Sequence, residues 1–242
     1  MPVDTGSSRV VLIVPVLDEE SRIGRVVRRV PRPPVDKVLV VDDGSRDASA
    51  ERAAAAGAEV LSLSTPVGVG AAIRAGLQWA RERGFEIACI AAGNDKDAPE
   101  ELDRLIEKVR GGFDFVQGSR YLPGGSHGGG MPHYRKLATR VHPLLFSAAL
   151  HRRISDSTNG FRAFRLSLLD DPKIQIAQRW LDGYELEPYL YFQAVRLGYR
   201  VCEVPVTKIY PARGLPHTKM KPVVGWWQML RPIFYLGLRL RG

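Results

Sequence analysis

Apolar residues in the first half of the chain fall alternately in short continuous runs and at helical spacing. Val10–Pro15 is an unbroken apolar run, as expected of a parallel strand buried on both faces. Ser21–Val30 then reads as a helix, Lys37–Val41 as a second strand, and the alanine-rich Ala48–Ala56 as a second helix. Glu59–Leu63, Glu86–Ala91 and Phe113–Val116 read as further strands. Helices over Ala71–Arg83 and Pro99–Val109 separate them, the second with proline at its start. Such alternation with short loops predicts an α/β fold, a mostly parallel sheet with helices on both faces. Ligands of these sheets bind beyond the carboxyl ends of the strands, so the residues after each strand are the ones to inspect.

The second half is less regular. The glycine-rich segment Pro123–Pro132 reads as a mobile loop, Tyr134–Leu150 as a helix and Asn159–Arg165 as a turn into a strand. Gly183–Leu197 reads as a helix and Arg200–Val204 as a strand. No internal repeat or linker is visible, which suggests a catalytic unit over residues 1–220 with an extension over 221–242.

From Val204 onward there is no acidic residue, and Lys208, Arg213, Lys219, Lys221, Arg231, Arg239 and Arg241 are all basic. Trp226, Trp227, Phe234 and Tyr235 are interleaved with aliphatic residues. The uncharged runs Pro222–Leu230 and Pro232–Leu238 are far shorter than the roughly 20 residues a bilayer span needs. The tail is therefore expected to lie as an amphipathic helix on an anionic membrane surface, split in two at Pro232. The competing reading is a helix packed on the core or on a partner.

The formal net charge of +9 and pI of about 9.8 call for an anionic partner. Cys89 and Cys202 lack metal or redox spacing and read as small hydrophobes in a reducing compartment. Val10–Leu17 ends in Asp18-Glu19-Glu20 and reads as a strand, not a secretory segment. A cytoplasmic location is expected, peripheral on the inner face of the membrane.

Carboxylates gather at the strand ends: Asp18, Glu19 and Glu20 after the first strand, Asp42, Asp43 and Asp47 after the second, Asp95 and Asp97 after the fourth. Asp47 and Asp97 also suit helix N-caps. A carboxylate cluster on one sheet edge repels itself unless a cation or hydrogen-bond donors sit within it, and Mg²⁺ or Mn²⁺ bridging a diphosphate would fill that role. From Phe115 to Ser155 there is no acidic residue, while Arg120, Arg135, Lys136, Arg140, Arg152 and Arg153 are basic. Arginine pairs phosphate oxygens bidentately.

The segments PVLDEE (Pro15–Glu20), VDDGSRD (Val41–Asp47), VGVGAAIRAG (Val67–Gly76) and GSRY (Gly118–Tyr121) resemble the inverting family-2 glycosyltransferases. SDSTNGFRAF (Ser155–Phe164) and CEVPV (Cys202–Val206) narrow the resemblance to polyprenyl- or dolichyl-phosphate mannose and glucose synthases. It spans roughly Val11 to Met220. It implies a Rossmann-like, glycosyltransferase A-type fold and transfer of a hexose from a GDP- or UDP-linked sugar to a polyprenyl phosphate, with inversion.

By that resemblance, Pro15, Leu17 and Glu19 line the nucleoside pocket and Asp43 bonds the base, with Asp42 behind it. Gly68, Gly70 and Ala71 let the backbone approach the donor, although tight strand–helix packing explains these glycines equally well. Arg120 and Arg135 hold phosphates of donor and acceptor. Asp156, Asn159, Arg162 and Glu187 belong to the acceptor site, unless Asp156 and Arg162 simply pair with each other. One departure stands out. The family's Asp-x-Asp before Pro-Glu falls here on Ala92 and Asn94, so the metal site is expected to shift to Asn94, Asp95 and Asp97. The alternatives are weak metal dependence, or Lys96 supplying part of the cation's charge.

A lipid phosphate is already anionic and needs no strong general base, so the enzyme's task is positioning and neutralising the departing diphosphate. His127, His133 and His142 receive no role. Rival readings are a soluble acceptor, a nucleotide-sugar-binding scaffold, and a nucleic-acid-binding protein. The last has no helix-turn-helix, zinc or aromatic-sheet signature, so no nucleic acid partner is expected.

Overall fold

The computed structural model describes residues 8–131, 133–210 and 222–237. Pro132 and the basic residues Arg213, Lys219, Lys221, Arg239 and Arg241 lie outside the described residues, as do the ends of the expected tail. A seven-stranded sheet has the order β3-β2-β1-β4-β7-β5-β8. Its strands are β1 (Val10–Val16), β2 (Lys37–Asp42), β3 (Glu59–Ser62), β4 (Ile87–Ile90), β5 (Phe115–Ser119), β7 (Arg162–Arg165) and β8 (Val201–Pro205). All neighbours pair in parallel except β7, which runs antiparallel between β4 and β5.

Strands β1, β2 and β4 form because their residues are apolar on both faces, and both faces are covered. Val11, Ile13, Leu39 and Val41 lie on the face covered by α3 (Val69–Glu82), in a core layer that α5 (His133–Leu150), α6 (Leu186–Arg196) and α7 (Pro222–Gly237) extend. Val10, Leu12, Val14 and Val40 pack against α1 (Ile23–Arg28), α2 (Ser49–Ala55) and α4 (Leu102–Arg110). Burial of each such side chain contributes about 1.5–3 kcal/mol. The expected elements of the first half are all present, with ends displaced by a few residues.

Two expectations fail. Pro123–Pro132 is not simply a loop: Ser126–Gly129 is strand β6, paired in parallel with β9 (Thr207–Tyr210) in a separate two-stranded sheet. Gly129 permits this, since its φ is +79° and a Cβ there would lie 1.8 Å from the Tyr210 carbonyl oxygen. The tail is not broken at Pro232 either. Helix α7 runs through it, because Met229, Pro232, Ile233 and Leu236 form one buried face against α5 and α6. That packing outweighs the loss of about 3 kcal/mol from a proline inside a helix. His142 on α5 fixes the contact. Its Nε2–H donates to the Met229 carbonyl (3.0 Å), which leaves Nδ1 to accept from the Ser157 hydroxyl (2.7 Å).

Gly70, in the first turn of α3, marks a contact that shapes the sheet edge. The amides of Gly70 and Ala71 both donate to the Asp182 carbonyl, at 2.9 and 3.1 Å. A Cβ on Gly70 would sit 2.0 Å from the Leu181 carbonyl oxygen. Gly70→Ala is therefore expected to destabilise the chain by about 1–3 kcal/mol, read as a lower urea midpoint at unchanged m-value.

Candidate functional site

A cavity of about 540 Å³ opens over the carboxyl ends of β1, β2 and β4, where the strand order reverses direction from β1. Strand β1 and its following loop supply Pro15, Val16, Leu17 and Glu19, β2 leads into Asp43, and the start of α3 supplies Gly68 and Val69. Beyond β4 come Ala92, Gly93, Asn94 and Lys96. Arg120 follows β5, Arg162 begins β7, and Lys208 and Tyr210 lie on β9. Helix α5 contributes Arg135 and Thr139, α6 Glu187, and α7 Trp226, Gln228 and Met229.

The residues expected from the sequence to hold the donor nucleotide line this cavity, except Asp42, Gly70 and Ala71. Asp43 uses both carboxylate oxygens to accept the amides of Val67 (2.8 Å) and Gly68 (3.0 Å), and so fixes the glycine segment. Asp42 accepts the Ser45 amide and hydroxyl and closes its own turn. Gly70 packs against the Leu181–Gly183 backbone, so packing is the reading its surroundings support.

Arg120 is the most completely engaged cation. Its Nε and Nη2 donate to the two oxygens of Asp156 (2.7 and 2.8 Å), Nη2 also to Thr158 Oγ1 (2.6 Å), and Nη1 to the Tyr210 hydroxyl (2.7 Å). The alternative of an Asp156–Arg162 pair is not the one formed, because Asp156, fully buried in the loop before β7, lies against Arg120 just after β5. Arg162 instead donates to the carbonyls of Glu187 and Asn159 and lies 3.5 Å from Glu187 Oε1. Asp156 and Asn159 do not line the cavity. Asn159 donates to the Gly118 carbonyl (3.0 Å) and receives Lys208 Nζ (3.1 Å), and so holds the wall from behind. Glu203 holds the same loop by accepting the amides of Ser155 and Asp156.

The expected metal ligands do not converge. Asp95 has φ +57° and turns outward to Arg25 Nε (2.5 Å) and Arg29 Nη1 (2.8 Å) on α1. Asp97 turns inward: Oδ2 accepts the Ala92 amide (3.0 Å) and Oδ1 receives Lys208 Nζ (2.5 Å). It caps no helix. Only Asn94 faces the cavity, with its Oδ1 buried and without a protein hydrogen bond. Among the described residues no three histidine, cysteine or carboxylate side chains are grouped to hold a metal. A hard divalent cation takes six or more oxygen ligands, commonly including carboxylates, and this set offers one neutral oxygen.

Sequence reasoning assigned no site role to Lys208 and saw Lys96 only as an alternative. Lys96 is 6% exposed and lies with Arg135 beside the Tyr210 ring, Nζ 5.8 Å and the Arg135 guanidinium carbon 6.0 Å from its centroid. Burial, with Lys208 and Arg135 nearby, pushes the Lys96 ammonium down to about 8. Lys208 could not be placed from spacing alone, because the strand carrying it is far along the chain from Asp97.

Burial raises the pKa of Asp156, but Arg120's charge and hydrogen bonds outweigh it and hold the carboxyl below its ordinary value. A depressed folded-state pKa contributes stability above the unfolded carboxylate pKa, and that stability is lost as pH falls through the folded value. Asp156→Asn strands a buried guanidinium and is expected to cost about 3–5 kcal/mol at neutral pH. The gap to the parent protein should narrow below the usual carboxylate range, as measured by urea unfolding between neutral and acid pH.

The family model described as Glycosyl transferase family 2 matches residues 11–171. The chain is 34% identical to the polyprenol monophosphomannose synthase of Mycolicibacterium smegmatis, over 88% of this chain and 82% of that protein. It is 35% identical to the undecaprenyl-phosphate mannosyltransferase of Micrococcus luteus, over 88% and 87%. A solved structure of similar fold is Mycobacterium tuberculosis glucosyl-3-phosphoglycerate synthase with Mn²⁺, UDP and glucosyl-3-phosphoglycerate. It is 21% identical with a TM-score of 0.68, covering 95% of this chain and 80% of that one. The UDP complex of the same synthase gives a TM-score of 0.71 at 21% identity, over 96% and 81%. With the family model covering most of the sheet and its strand-end loops, the chain belongs to glycosyl transferase family 2 and is a glycosyltransferase.

Proposed function

We propose that this glycosyltransferase moves a hexose of mannose or glucose type from a nucleoside diphosphate to a polyprenyl phosphate, inverting the anomeric centre. The observation that carries the reading is that α5 and α7 each do two things. Both line the cavity, through Arg135, Thr139, Trp226 and Met229, and both present apolar side chains outward. On α5 these are Tyr134, Leu137, Val141, Leu144 and Leu145, with Leu137 66% and Leu144 69% exposed. On α7 they are Val224, Trp227 and Phe234. Lys136 and Arg140 lie on the same helix as the α5 stripe. An apolar stripe with flanking cations suits an anionic bilayer surface, and the relatives named for polyprenyl carriers support a lipid acceptor. Among the described residues no helix is long and apolar enough to cross a membrane.

In this reading Pro15, Leu17, Asp43 and Gly68 hold the nucleoside, with GDP and UDP both open. An oxygen of the lipid phosphate attacks the anomeric carbon from the face opposite the diphosphate. The bond from that carbon to the diphosphate oxygen breaks, and the nucleoside diphosphate leaves with the electron pair. No proton needs to be removed from the nucleophile. Arg135 and Arg162, at the helix-lined side, orient the acceptor phosphate with Glu187 setting the Arg162 position. A divalent cation such as the Mn²⁺ of the solved synthase would neutralise the leaving diphosphate, but the residues present do not fit one, as described above.

Purified protein offered a panel of GDP- and UDP-sugars with polyprenyl phosphate in detergent is expected to form a lipid-linked sugar. Transfer only to a soluble phosphorylated acceptor would replace the lipid reading. Nucleotide binding without any transfer would make the chain a scaffold. Arg135→Ala is expected to lower kcat/KM for the lipid by about a hundredfold. Leu137→Glu with Leu144→Glu should reduce co-sedimentation with phosphatidylglycerol vesicles and leave nucleotide binding unchanged, since both side chains already face solvent.

A further inference from the structure

We infer that the cleft between α1 and α2 is a second anion site, one that takes the phosphate of a soluble phosphomonoester. The inference goes beyond the proposed transfer and does not depend on it. The cleft is a cavity of about 520 Å³ whose lining brings the guanidiniums of Arg25, Arg28 and Arg52 together with one carboxylate, Glu20. It is separate from the cavity at the strand ends: Glu19 and Arg22 line that one, whereas Glu20 and Ser21, on the same segment, line this one.

Local structure brings the three arginines together. Arg25 and Arg28 are three residues apart on α1 and so share one face of that helix. Helix α2 packs alongside α1 and carries Arg52. Gly24 opens the space between them. It is buried, and a Cβ there would lie 3.4 Å from Arg28 Nη1 and 3.5 Å from the Arg52 carbonyl oxygen. The Arg28 guanidinium therefore folds back over Gly24 toward α2, while its side chain stays exposed enough to meet a ligand.

The charges around the cleft do not cancel. Arg25 makes one side-chain hydrogen bond, from Nε to Asp95 Oδ2 at 2.5 Å. Arg28 and Arg52 make no side-chain hydrogen bond or ion pair among the described residues. Glu20 Oε2 accepts the Ala48 amide at 3.1 Å. Asp47 and Glu51, on the α2 side, do not line the cleft, and Asp47 is engaged by Ser49 and by the Glu20 amide. With Asp95 set against Arg25 and Glu20 against one of the other two, a positive charge is left over. Arginine cannot shed its proton, so the repulsion among the three is relieved only by an anion. A phosphate accepts from several guanidinium N–H groups at once, and a concave surface of one sign concentrates such ions. The source is soluble because α1 and α2 cover the sheet face opposite the core layer of α5 and α7. A bilayer against the apolar stripe of those helices leaves the cleft in water.

The test is a nuclear magnetic resonance titration of the ¹⁵N-labelled full-length protein at constant ionic strength. The probes are inorganic phosphate and glucose 6-phosphate, with glucose and chloride as controls. The expected result is saturable shifts of the amides of residues 20–28 and 52–55 with both phosphates and with neither control. Arg28→Gln with Arg52→Gln should weaken this binding by about tenfold or more and leave the thermal unfolding midpoint unchanged, since both side chains are exposed. Shifts confined to the loops of the strand-end cavity, shifts equally large with chloride, or unchanged affinity in the double variant would overturn the inference. Vesicles of phosphatidic acid distinguish the two sources of phosphate. Co-sedimentation that survives Leu137→Glu with Leu144→Glu but is lost in Arg28→Gln with Arg52→Gln would assign the site to a lipid headgroup and overturn the soluble one. Failure of sugar transfer would remove the proposed acceptor and leave this result standing.

Discussion

A guanidinium withdrawn from water must find an oxygen for its N–H groups, and the site of this protein is organised around how Arg120 does so. Asp156 answers two of its nitrogens, and Thr158 and Tyr210 complete the set. These partners come from different places: the loop before β7 and the end of β9. Arg120 itself follows β5. One ion pair thereby joins the end of the main sheet, the irregular loop and the small second sheet into a single cavity wall. The same wall places Lys208 next to Asp97, because β9, held by Arg120 through Tyr210, carries Lys208 two residues earlier. The pair is fully desolvated, so its net worth to stability is small, but either partner alone would be a buried uncompensated charge. What it contributes is a fixed shape.

That shape also decides which charges face the ligand. Asp95, Asp97 and Asp156 look in the sequence like members of an acidic site, yet each is absorbed by an arginine or lysine of the protein. The lining left facing the cavity carries six arginine and lysine side chains against the carboxylates Glu19, Asp43 and Glu187. A cavity lined this way attracts phosphate directly. The opposing terms can be weighed: dehydrating Lys96 disfavours its charged form, and its neighbours Lys208 and Arg135 disfavour it further, but its pKa of about 8 leaves it mainly protonated near neutral pH. Each anionic ligand that approaches favours the charged form more.

Much of this was legible in the sequence, for identifiable reasons. Strands β1, β2 and β4 announce themselves because both faces are buried and their residues are uniformly apolar. The rule that loops at the carboxyl ends converge marks where to look, and Pro15, Leu17, Glu19, Asp43 and Gly68, singled out by the resemblance, do line one cavity there. What was hidden depends on distant partners or on a single dihedral angle. Strand β6 (Ser126–Gly129) has no apolar alternation, since its pairing is made by backbone with β9. Nothing local reveals that β7 runs antiparallel. The spacing of Asp95 and Asp97 suggests a pair, but the left-handed backbone at Asp95 turns it to the outer face while Asp97 turns in. Tail residue Pro232 suggests a break only until the buried face it shares with Met229, Ile233 and Leu236 is seen.

The helices α5 and α7 show how one element serves two environments. In α7, the face bearing Met229, Ile233 and Leu236 is anchored by His142 and by the Arg231–Glu185 contact at 3.1 Å, which fixes the helix whether or not a membrane is present. Its opposite face, with Trp227 and Phe234 in ring contact 5.9 Å apart, is left to solvent. A helix ordered only on the bilayer would bear its ordering entropy at binding. A helix already docked on the core bears it at folding and presents a rigid apolar face afterwards. In the proposed reading this rigidity matters, because the same helices line the cavity through Arg135 and Trp226. Contact with the bilayer and alignment of the acceptor phosphate then become one geometric event.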